Sequence, residues 1–177
     1  MKIIENDFLN VQFGGKKFDI ITMTHVLEHV SNPEKYVKKI FDTLNYHGKL
    51  IIEVPNFESW TSILTKGYWL GLDMDYHVSF FTSGHLLSLL KKYCFRIKAT
   101  RYFSLEYSTF ISAQSLSSMI IKSGHDFFNY LQDLDFSPLL LAEAVFFFIL
   151  FPFCFLINLF LYFSRRGEVL FIVAEKS

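Results

Sequence analysis

Three side chains that could do chemistry lie close together in the first part of the chain: His25, Glu28 and His29. Their spacing is i, i+3 and i+4, so they share one face if the turn that carries them is helical. Two imidazoles and a carboxylate on one face could bind a divalent metal, or one of them could act as a base. They could equally shape a ligand pocket and cap a helix. Because only three candidate ligands stand here and a fourth is missing, we predict no metal site.

These residues lie inside a strand–helix–strand unit. Phe18–Met23 is almost entirely apolar, which is typical of a parallel strand buried on both faces. Ser31 or Asn32 can cap a helix that begins at Pro33, and a second apolar strand, Lys49–Val54, follows that helix. A parallel pair joined by one helix forms a right-handed crossover. The sequence therefore predicts α/β architecture.

Further elements flank this unit on both sides. Lys2–Glu5 is a short strand candidate, and Thr82 is placed to cap a second helix with leucines at helical spacing. Phe95–Phe103 alternates imperfectly and predicts another strand, and Glu168–Glu175 predicts the last one. These two strands are separated by about sixty residues, far more than an ordinary connection, so we predict an insertion between them.

Composition and charge exclude several classes of function. The 177 residues carry 17 Lys and Arg against 17 Asp and Glu, so the chain has no electrostatic footprint for nucleic acid. Cys94 and Cys154 stand far apart in apolar surroundings, which disfavours a disulfide framework or a zinc cluster and fits a reducing compartment. The first residues form no apolar run behind a basic start, so no secretory signal is predicted. We therefore expect a cytoplasmic location.

Three segments of the chain carry a family resemblance: FDIITMTHVLEHVSNPEKYVKKIF, GKLIIEVPN and YWLGLDMDYHVSFFT. Together they resemble the class I, Rossmann-like methyltransferases that use S-adenosylmethionine, most closely the group with an H-V-L-E-H-V signature. The resemblance implies a sheet of order 3-2-1-4-5-7-6 whose last strand is antiparallel. This chain would supply a partial sheet, the 3-4-5-7-6 side. On that template strands three, four, five, six and seven are Ile3–Ile4, Phe18–Met23, Leu50–Val54, Phe95–Phe103 and Val169–Ala174.

The resemblance implies S-adenosylmethionine as cofactor and assigns part of its site. Asp7, followed by Phe8, matches the acidic residue after strand three that accepts a hydrogen bond from the adenine amino group. Thr24 and His25 match positions after strand four that line the methionine and adenine side. The family's Gly-rich loop and its ribose-binding acidic residue would both lie upstream of this sequence. We therefore expect the chain to be the C-terminal part of a split or truncated enzyme, inactive alone, that needs an N-terminal complementing fragment.

The resemblance also implies where a base would act. Methyl transfer from a sulfonium is an in-line displacement in which alignment supplies most of the acceleration, and a base helps when the acceptor is a hydroxyl or an amine. His29, in the signature, and His77, in the segment that forms the family's active-site wall, are the two catalytic candidates. Either could instead be a hydrogen-bonded structural histidine. Trp60, Trp69 and Tyr76 could floor an acceptor pocket or pack a lid.

The insertion contains a strongly apolar run. Ala144–Phe163 is twenty residues without a charge, which is long enough to span a membrane. A single span would put the last strand on the opposite side of the bilayer from its sheet. Pro152 instead predicts two short helices, Pro138–Phe151 and Phe153–Ser164, that dip into one leaflet and return. The alternative is a buried helical hairpin or a dimer surface.

These observations predict three regions and leave three functions open. Residues 1–103 form part of a methyltransferase core, 104–164 a membrane-associating helical insertion, and 165–177 the closing strand. The leading hypothesis is a methyltransferase, or the acceptor-side part of one, that works at a membrane surface on a small-molecule, lipid-linked or glycan acceptor. The second is an inactive relic or membrane-associated interaction module. The third is a small membrane protein whose remaining part only mimics the family.

Overall fold

A four-stranded sheet forms the centre of the molecule. The computed structural model describes every residue except 1, 2, 75, 106 and 163. The strands are β1 (Phe18–Thr24), β2 (Leu44–Pro55), β3 (Phe95–Arg101) and β4 (Val169–Lys176). Their order across the sheet is β1-β2-β4-β3; β1 and β2 are parallel, and β4 is antiparallel to both of its neighbours. The predicted α/β fold with an antiparallel last strand is therefore confirmed.

Six α-helices occur in the described part of the chain. They are α1 (Pro33–Thr43), α2 (Trp60–Thr65), α3 (Ser83–Lys92), α4 (Ser108–Ile121), α5 (Asp126–Asp133) and α6 (Leu140–Phe160). Asn32 caps α1 by accepting a hydrogen bond from the Lys35 amide, and Thr82 caps α3 by accepting one from the His85 amide. Both caps agree with the sequence prediction.

The core lies where α1 and α3 pack against the sheet. From Leu50 to Val54 in β2 and from Leu170 to Ala174 in β4 every second side chain is buried, as the two-residue period of a strand requires. Leu50 and Ile52 from β2 and Ile172 from β4 meet Val37 from α1 and Leu90 from α3 in one apolar cluster. This cluster holds the carboxyl ends of β1 and β2 in place.

Two predictions for the start of the sheet are wrong. β1 is not buried on both faces: among the described residues it pairs only with β2, and Phe18 and Ile20 are 38% and 57% exposed. It is an edge strand that no helix covers on one side. Ile3–Ile4 does not form strand three, because without a neighbouring strand its backbone has no ladder partner. Of the Lys2–Glu5 candidate, Lys2 lies outside the described residues and the rest is not a strand.

The prediction of two short helices broken at Pro152 is also wrong. α6 is one helix of 21 residues with Pro152 inside it. Proline removes a single backbone donor, and here its ring lies on the exposed side of the helix. On the other side Phe147, Cys154 and Asn158 are buried above and below that position. Packing on both sides of the proline therefore holds the helix together.

Candidate functional site

A cleft of about 770 Å³ opens at the carboxyl ends of β1 and β2. One wall is the turn after β1, and a second is the segment between α2 and α3. The third wall comes from the insertion, through α4 and α5. Residues from each wall are His25, Glu28, His77, Tyr107, His125 and Phe128. Ligands of open α/β sheets bind at this end of the strands, so the cleft is the candidate site.

His25 lines the cleft and forms ion pairs with two carboxylates. Its Nδ1 lies 3.1 Å from Glu28 Oε1, and its Nε2 lies 3.4 Å from Glu53 Oε1. Its ring packs against Tyr107, with ring centroids 4.2 Å apart. Burial lowers the pKa of His25, but the two carboxylates outweigh burial and raise that pKa to about 9. His25 is therefore positively charged at neutral pH and is not a base.

His29 and His77 meet at the mouth of the cleft. The turn after β1 is a short 3-10 turn, Leu27–His29, so the three signature side chains do not share an α-helical face. Instead His29 faces His77, with ring centroids 4.7 Å apart. The Val78 and Ser79 amides donate to the Glu28 carbonyl at 2.9 and 3.0 Å, which ties the two segments together.

Backbone carbonyls fix the orientation of both rings. His29 Nδ1 lies 3.0 Å from the carbonyl of Tyr76, and His77 Nδ1 lies 3.0 Å from the carbonyl of Gly71. A carbonyl can only accept, so each Nδ1 carries a hydrogen in the neutral ring. The lone pair of each ring then lies on Nε2. The two histidines that the sequence singled out therefore both offer a proton acceptor.

Asp7 and Phe8 lie beside β1, away from these histidines. Asp7 Oδ1 accepts hydrogen bonds from the Leu9 amide at 2.9 Å and from the Tyr36 hydroxyl at 2.7 Å. Those bonds lower the pKa of Asp7. Phe8 lines a separate pocket of about 170 Å³, whose other walls include Met23. Thr24 is exposed at the end of β1.

The sequence matches a family model described as "Methyltransferase domain" over residues 4–100. This match covers more than half of the 177 residues. The chain belongs to this methyltransferase domain family. S-adenosylmethionine is the cofactor that the family implies. No curated protein matches the sequence.

Solved methyltransferase structures share the fold of this methyltransferase domain. A putative sarcosine dimethylglycine methyltransferase from Galdieria sulphuraria is 14% identical, with a TM-score of 0.53, over 97% of this chain and 58% of that one. A complex between the Haloferax volcanii Trm112 methyltransferase activator and the putative methyltransferase gives 9% identity and a TM-score of 0.52, over 97% and 59%. A putative S-adenosylmethionine dependent methyltransferase from Listeria monocytogenes gives 12% and 0.50, over 98% and 68%. The chain spans less than two thirds of the first two structures.

The described residues fit one end of S-adenosylmethionine. The apolar pocket beside Phe8 and Met23 suits a flat ring such as adenine, and Asp7 next to it supplies a carboxylate. Its volume of about 170 Å³ is below the roughly 300 Å³ at which ligand pockets begin. Phe8 and His25 also line different pockets. These residues would therefore contact only the adenine end of the cofactor.

Sequence reasoning missed the contribution of the insertion. Tyr107, Phe110 and Phe128 line the cleft, whereas the sequence predicted a membrane-associating element, a buried hairpin or a dimer surface here. His125, which was not singled out from the sequence, lies in the turn before α5, lines the cleft and places its Nδ1 2.8 Å from Ser118 Oγ. Burial lowers the pKa of His125. The one available signal was the mixture of aromatic and polar residues in 107–128.

The three aromatic candidates have different surroundings. Trp69 is buried and lines the cleft, and Tyr76 lines it from an exposed position. Trp60 instead donates from its indole nitrogen to Asn158 Oδ1 at 3.1 Å, which links α2 to α6. Trp69 and Tyr76 are therefore cleft residues, and Trp60 fastens the insertion to the core.

Proposed function

We propose that this methyltransferase domain binds a methyl acceptor in the cleft between the sheet and the insertion. The observation that carries the proposal is the pair His29 and His77, whose Nδ1 atoms are each 3.0 Å from a backbone carbonyl. Orienting bonds of this kind leave Nε2 free to accept a proton from a hydroxyl or amine. S-adenosylmethionine would supply the electrophilic methyl group.

Different residues of the chain would then have different roles in the reaction. His29 or His77 accepts the acceptor's proton at Nε2, so that the oxygen or nitrogen attacks with a full lone pair. The charged His25 holds the carboxylates of Glu28 and Glu53 and supports Tyr107 at the cleft wall. Trp69 and Phe128 exclude water and align the acceptor, which is the main source of acceleration in a displacement reaction.

A second polypeptide segment is part of this proposal. In the described residues β1 is paired on one edge only, and its Phe18 and Ile20 side chains are exposed. An unpaired apolar edge invites another strand. A segment that carries the family's glycine-rich loop would complete both the sheet and the cofactor site. It could belong to a longer form of the same chain or to a partner.

The surface of α6 supports a membrane-linked acceptor. It is the one helix in the described residues that is long and apolar enough to cross a membrane. Glu143 near its start bonds to Ser118, and Asn158 near its end bonds to Ser112, so both ends are fastened to α4. A helix fastened at both ends lies along the domain and favours the plane of one leaflet over a span. Its neighbours α4 and α5 line the cleft, so an acceptor could enter from that leaflet.

A labelling experiment tests the function. The full chain, alone and together with a polypeptide that carries the glycine-rich segment, is incubated with S-adenosylmethionine tritiated in its methyl group. Lipid and water-soluble extracts of the source cells serve as acceptors. We expect label in the lipid fraction, reduced at least a hundredfold by His29→Phe together with His77→Phe. The matched control is His47→Phe, an exposed histidine outside the cleft.

Two results would contradict this proposal in different ways. If the donor binds and neither extract is labelled, the domain is not a methyltransferase. If only the water-soluble fraction is labelled, the methyltransferase remains and the lipid-linked acceptor is wrong.

Two observations favour the alternative, an inactive methyltransferase-like module at a membrane. Asp7 Oδ1 already accepts two hydrogen bonds from within the chain, and the pocket beside Phe8 is small. Equilibrium dialysis of S-adenosylmethionine against the two-polypeptide sample separates the two functions. Saturable binding supports the enzyme, and its absence supports the module.

A further inference from the structure

Glu28, His29 and His77 form a cluster that could hold a metal ion. Each offers one ligand atom, and these atoms all lie within 4.8 Å of one another. Glu28 and His29 belong to the short turn after β1, and His77 belongs to the segment before α3. Two amides of that segment donate hydrogen bonds to the Glu28 carbonyl. The sequence suggested a different trio with His25, because His77 is remote in the chain.

The histidines already have the hydrogen bonds that metal ligands usually have. A metal-binding imidazole donates its other ring N–H to a carbonyl or carboxylate, which fixes the tautomer and aims the lone pair. His29 does this toward the Tyr76 carbonyl and His77 toward the Gly71 carbonyl, both through Nδ1 at 3.0 Å. In each ring Nε2 is then the free ligand atom.

The carboxylate supplies an independent observation. Glu28 is only 2% exposed, and one oxygen, Oε1, is engaged by His25. The other oxygen, Oε2, is buried and has no hydrogen-bond partner among the described residues. Buried polar atoms normally have a partner, and a carboxylate oxygen without one is costly. A cation beside Oε2 would satisfy it.

We propose that Glu28 Oε2, His29 Nε2 and His77 Nε2 bind one divalent transition metal of the zinc class at the mouth of the cleft. Two imidazoles and one carboxylate match the ligand set of catalytic zinc, which keeps a fourth position open. In a tetrahedral site, metal–ligand bonds of about 2.0 Å place ligand atoms roughly 3.3 Å apart, so atoms that lie up to 4.8 Å apart must approach by about 1.5 Å. His29 is exposed, so its ring can shift toward the other ligands while Nδ1 keeps its hydrogen bond to the Tyr76 carbonyl.

This metal site rests on the proposed function for its role. An acceptor hydroxyl would take the open position, because a bound cation lowers the pKa of an oxygen that it coordinates. The hydroxyl proton passes to solvent, the acceptor oxygen forms the new bond to the methyl carbon, and the carbon–sulfur bond breaks with its electron pair on sulfur. His29 and His77 then act as ligands in place of bases.

Metal binding by the full chain tests the site without any methyl donor. After treatment with chelator, the protein is titrated with Zn²⁺ by calorimetry and with Co²⁺ by visible absorption. We expect one equivalent per chain, and a Kd raised more than tenfold by His77→Ala and by His29→Ala. The matched controls are His47→Ala and His85→Ala, which remove imidazoles outside the cleft. Circular dichroism checks that each variant is folded.

The outcomes separate the site from the function. If the folded chain binds neither cation, or if His77→Ala leaves the Kd unchanged, the metal site is wrong. One-to-one binding that His77→Ala abolishes, without methyl transfer in any extract, supports the metal site while the proposed function fails. Full methyl transfer by metal-free protein in chelator leaves the function standing and overturns the role of the metal in it.

Discussion

The sheet and the insertion differ in which side chains they bury. In the sheet, Leu50, Ile52 and Ile172 are fully buried, and the charged Glu53, next to Ile52 in sequence, is only partly buried. In the insertion, the buried residues of α4 are largely serines, and α6 turns Glu143 and Asn158 inward. These polar groups bond to one another: Asn158 Nδ2 donates to Ser112 Oγ at 2.8 Å.

The outer surface of the insertion is apolar, whereas its interior is polar. Phe148, Leu156 and Phe160 of α6 are 66%, 62% and 88% exposed. In water an apolar stripe of this size normally faces a core or a partner, whereas in lipid the apolar side chains face outward and small or polar ones join the helices. The comparison teaches that the two regions suit different surroundings.

The largest loss of stability is expected from a substitution in the core of the sheet. Ile172→Ala should lower the free energy of unfolding by on the order of 4 kcal/mol, because it leaves a cavity in a fully buried cluster. Ile63→Ala, the same change at a site that is 52% exposed, should cost about 0.5 kcal/mol or less. Urea unfolding in mild detergent measures both. Equal losses would mean that the sheet does not contain the main core.

Replacing a buried polar side chain by an apolar one tests whether polar contacts hold the interior of the insertion together. Glu143→Leu should cost about 3 kcal/mol, because Gln114 Nε2, Ser118 Oγ and the Phe127 amide all donate to this carboxylate and would lose their acceptor. Glu34→Leu is the matched control, since its ion pair with Lys92 is exposed to solvent and should contribute little to the free energy of unfolding. If Glu143→Leu stabilises the fold, the insertion has an ordinary apolar core.

The stability of the fold should depend on pH through Glu168, which lies between the insertion and β4. Burial raises the pKa of Glu168 to about 7, although its hydrogen bond from Thr61 opposes the shift. The folded state thus holds a proton that the unfolded state loses near its usual value of 4.5. Stability should therefore fall as pH rises from about 5 to 7, by about 2 to 3 kcal/mol, and level off above that. In Glu168→Gln the urea midpoint should change less with pH across this range. If it changes as much as in the unaltered protein, Glu168 is not the group responsible.

The smallest effect concerns the outer surface of α6. Phe148→Ser and Phe160→Ser should each weaken binding to phospholipid vesicles roughly tenfold, because each removes an exposed aromatic ring from the apolar stripe. Phe57→Ser, at an aromatic residue outside α6 that is 42% exposed, is the control. Vesicle flotation measures binding. Concentration-dependent dimers without vesicle binding would show that a second copy covers this surface.

Local signals predicted the α/β unit well. Asn32 and Thr82 begin their helices as expected, and the apolar strands β2 and β4 lie in the centre of the sheet. Each of these features depends on residues close together in the chain. Ile3–Ile4 has the composition of a strand, but composition does not supply the neighbour that a strand needs.

The site was predicted only in part, because it depends on distant contacts. His29 and His77 were each singled out, yet their pairing arises from the Val78 and Ser79 amides on the Glu28 carbonyl. No short pattern encodes that contact. The continuity of α6 across Pro152 likewise depends on packing against α4, which the sequence of α6 alone does not contain.

The position of β4 has a consequence for the order of events during synthesis. It follows the insertion in the chain, yet in the sheet it lies between β2 and β3. A ribosome must therefore release all of α4, α5 and α6 while β2 and β3 still lack the strand that joins them. α6 ends at Phe160, ahead of the start of β4 at Val169, so its apolar surface is synthesised before the core can close. If α6 binds a bilayer, attachment to that bilayer can therefore begin before the sheet is complete.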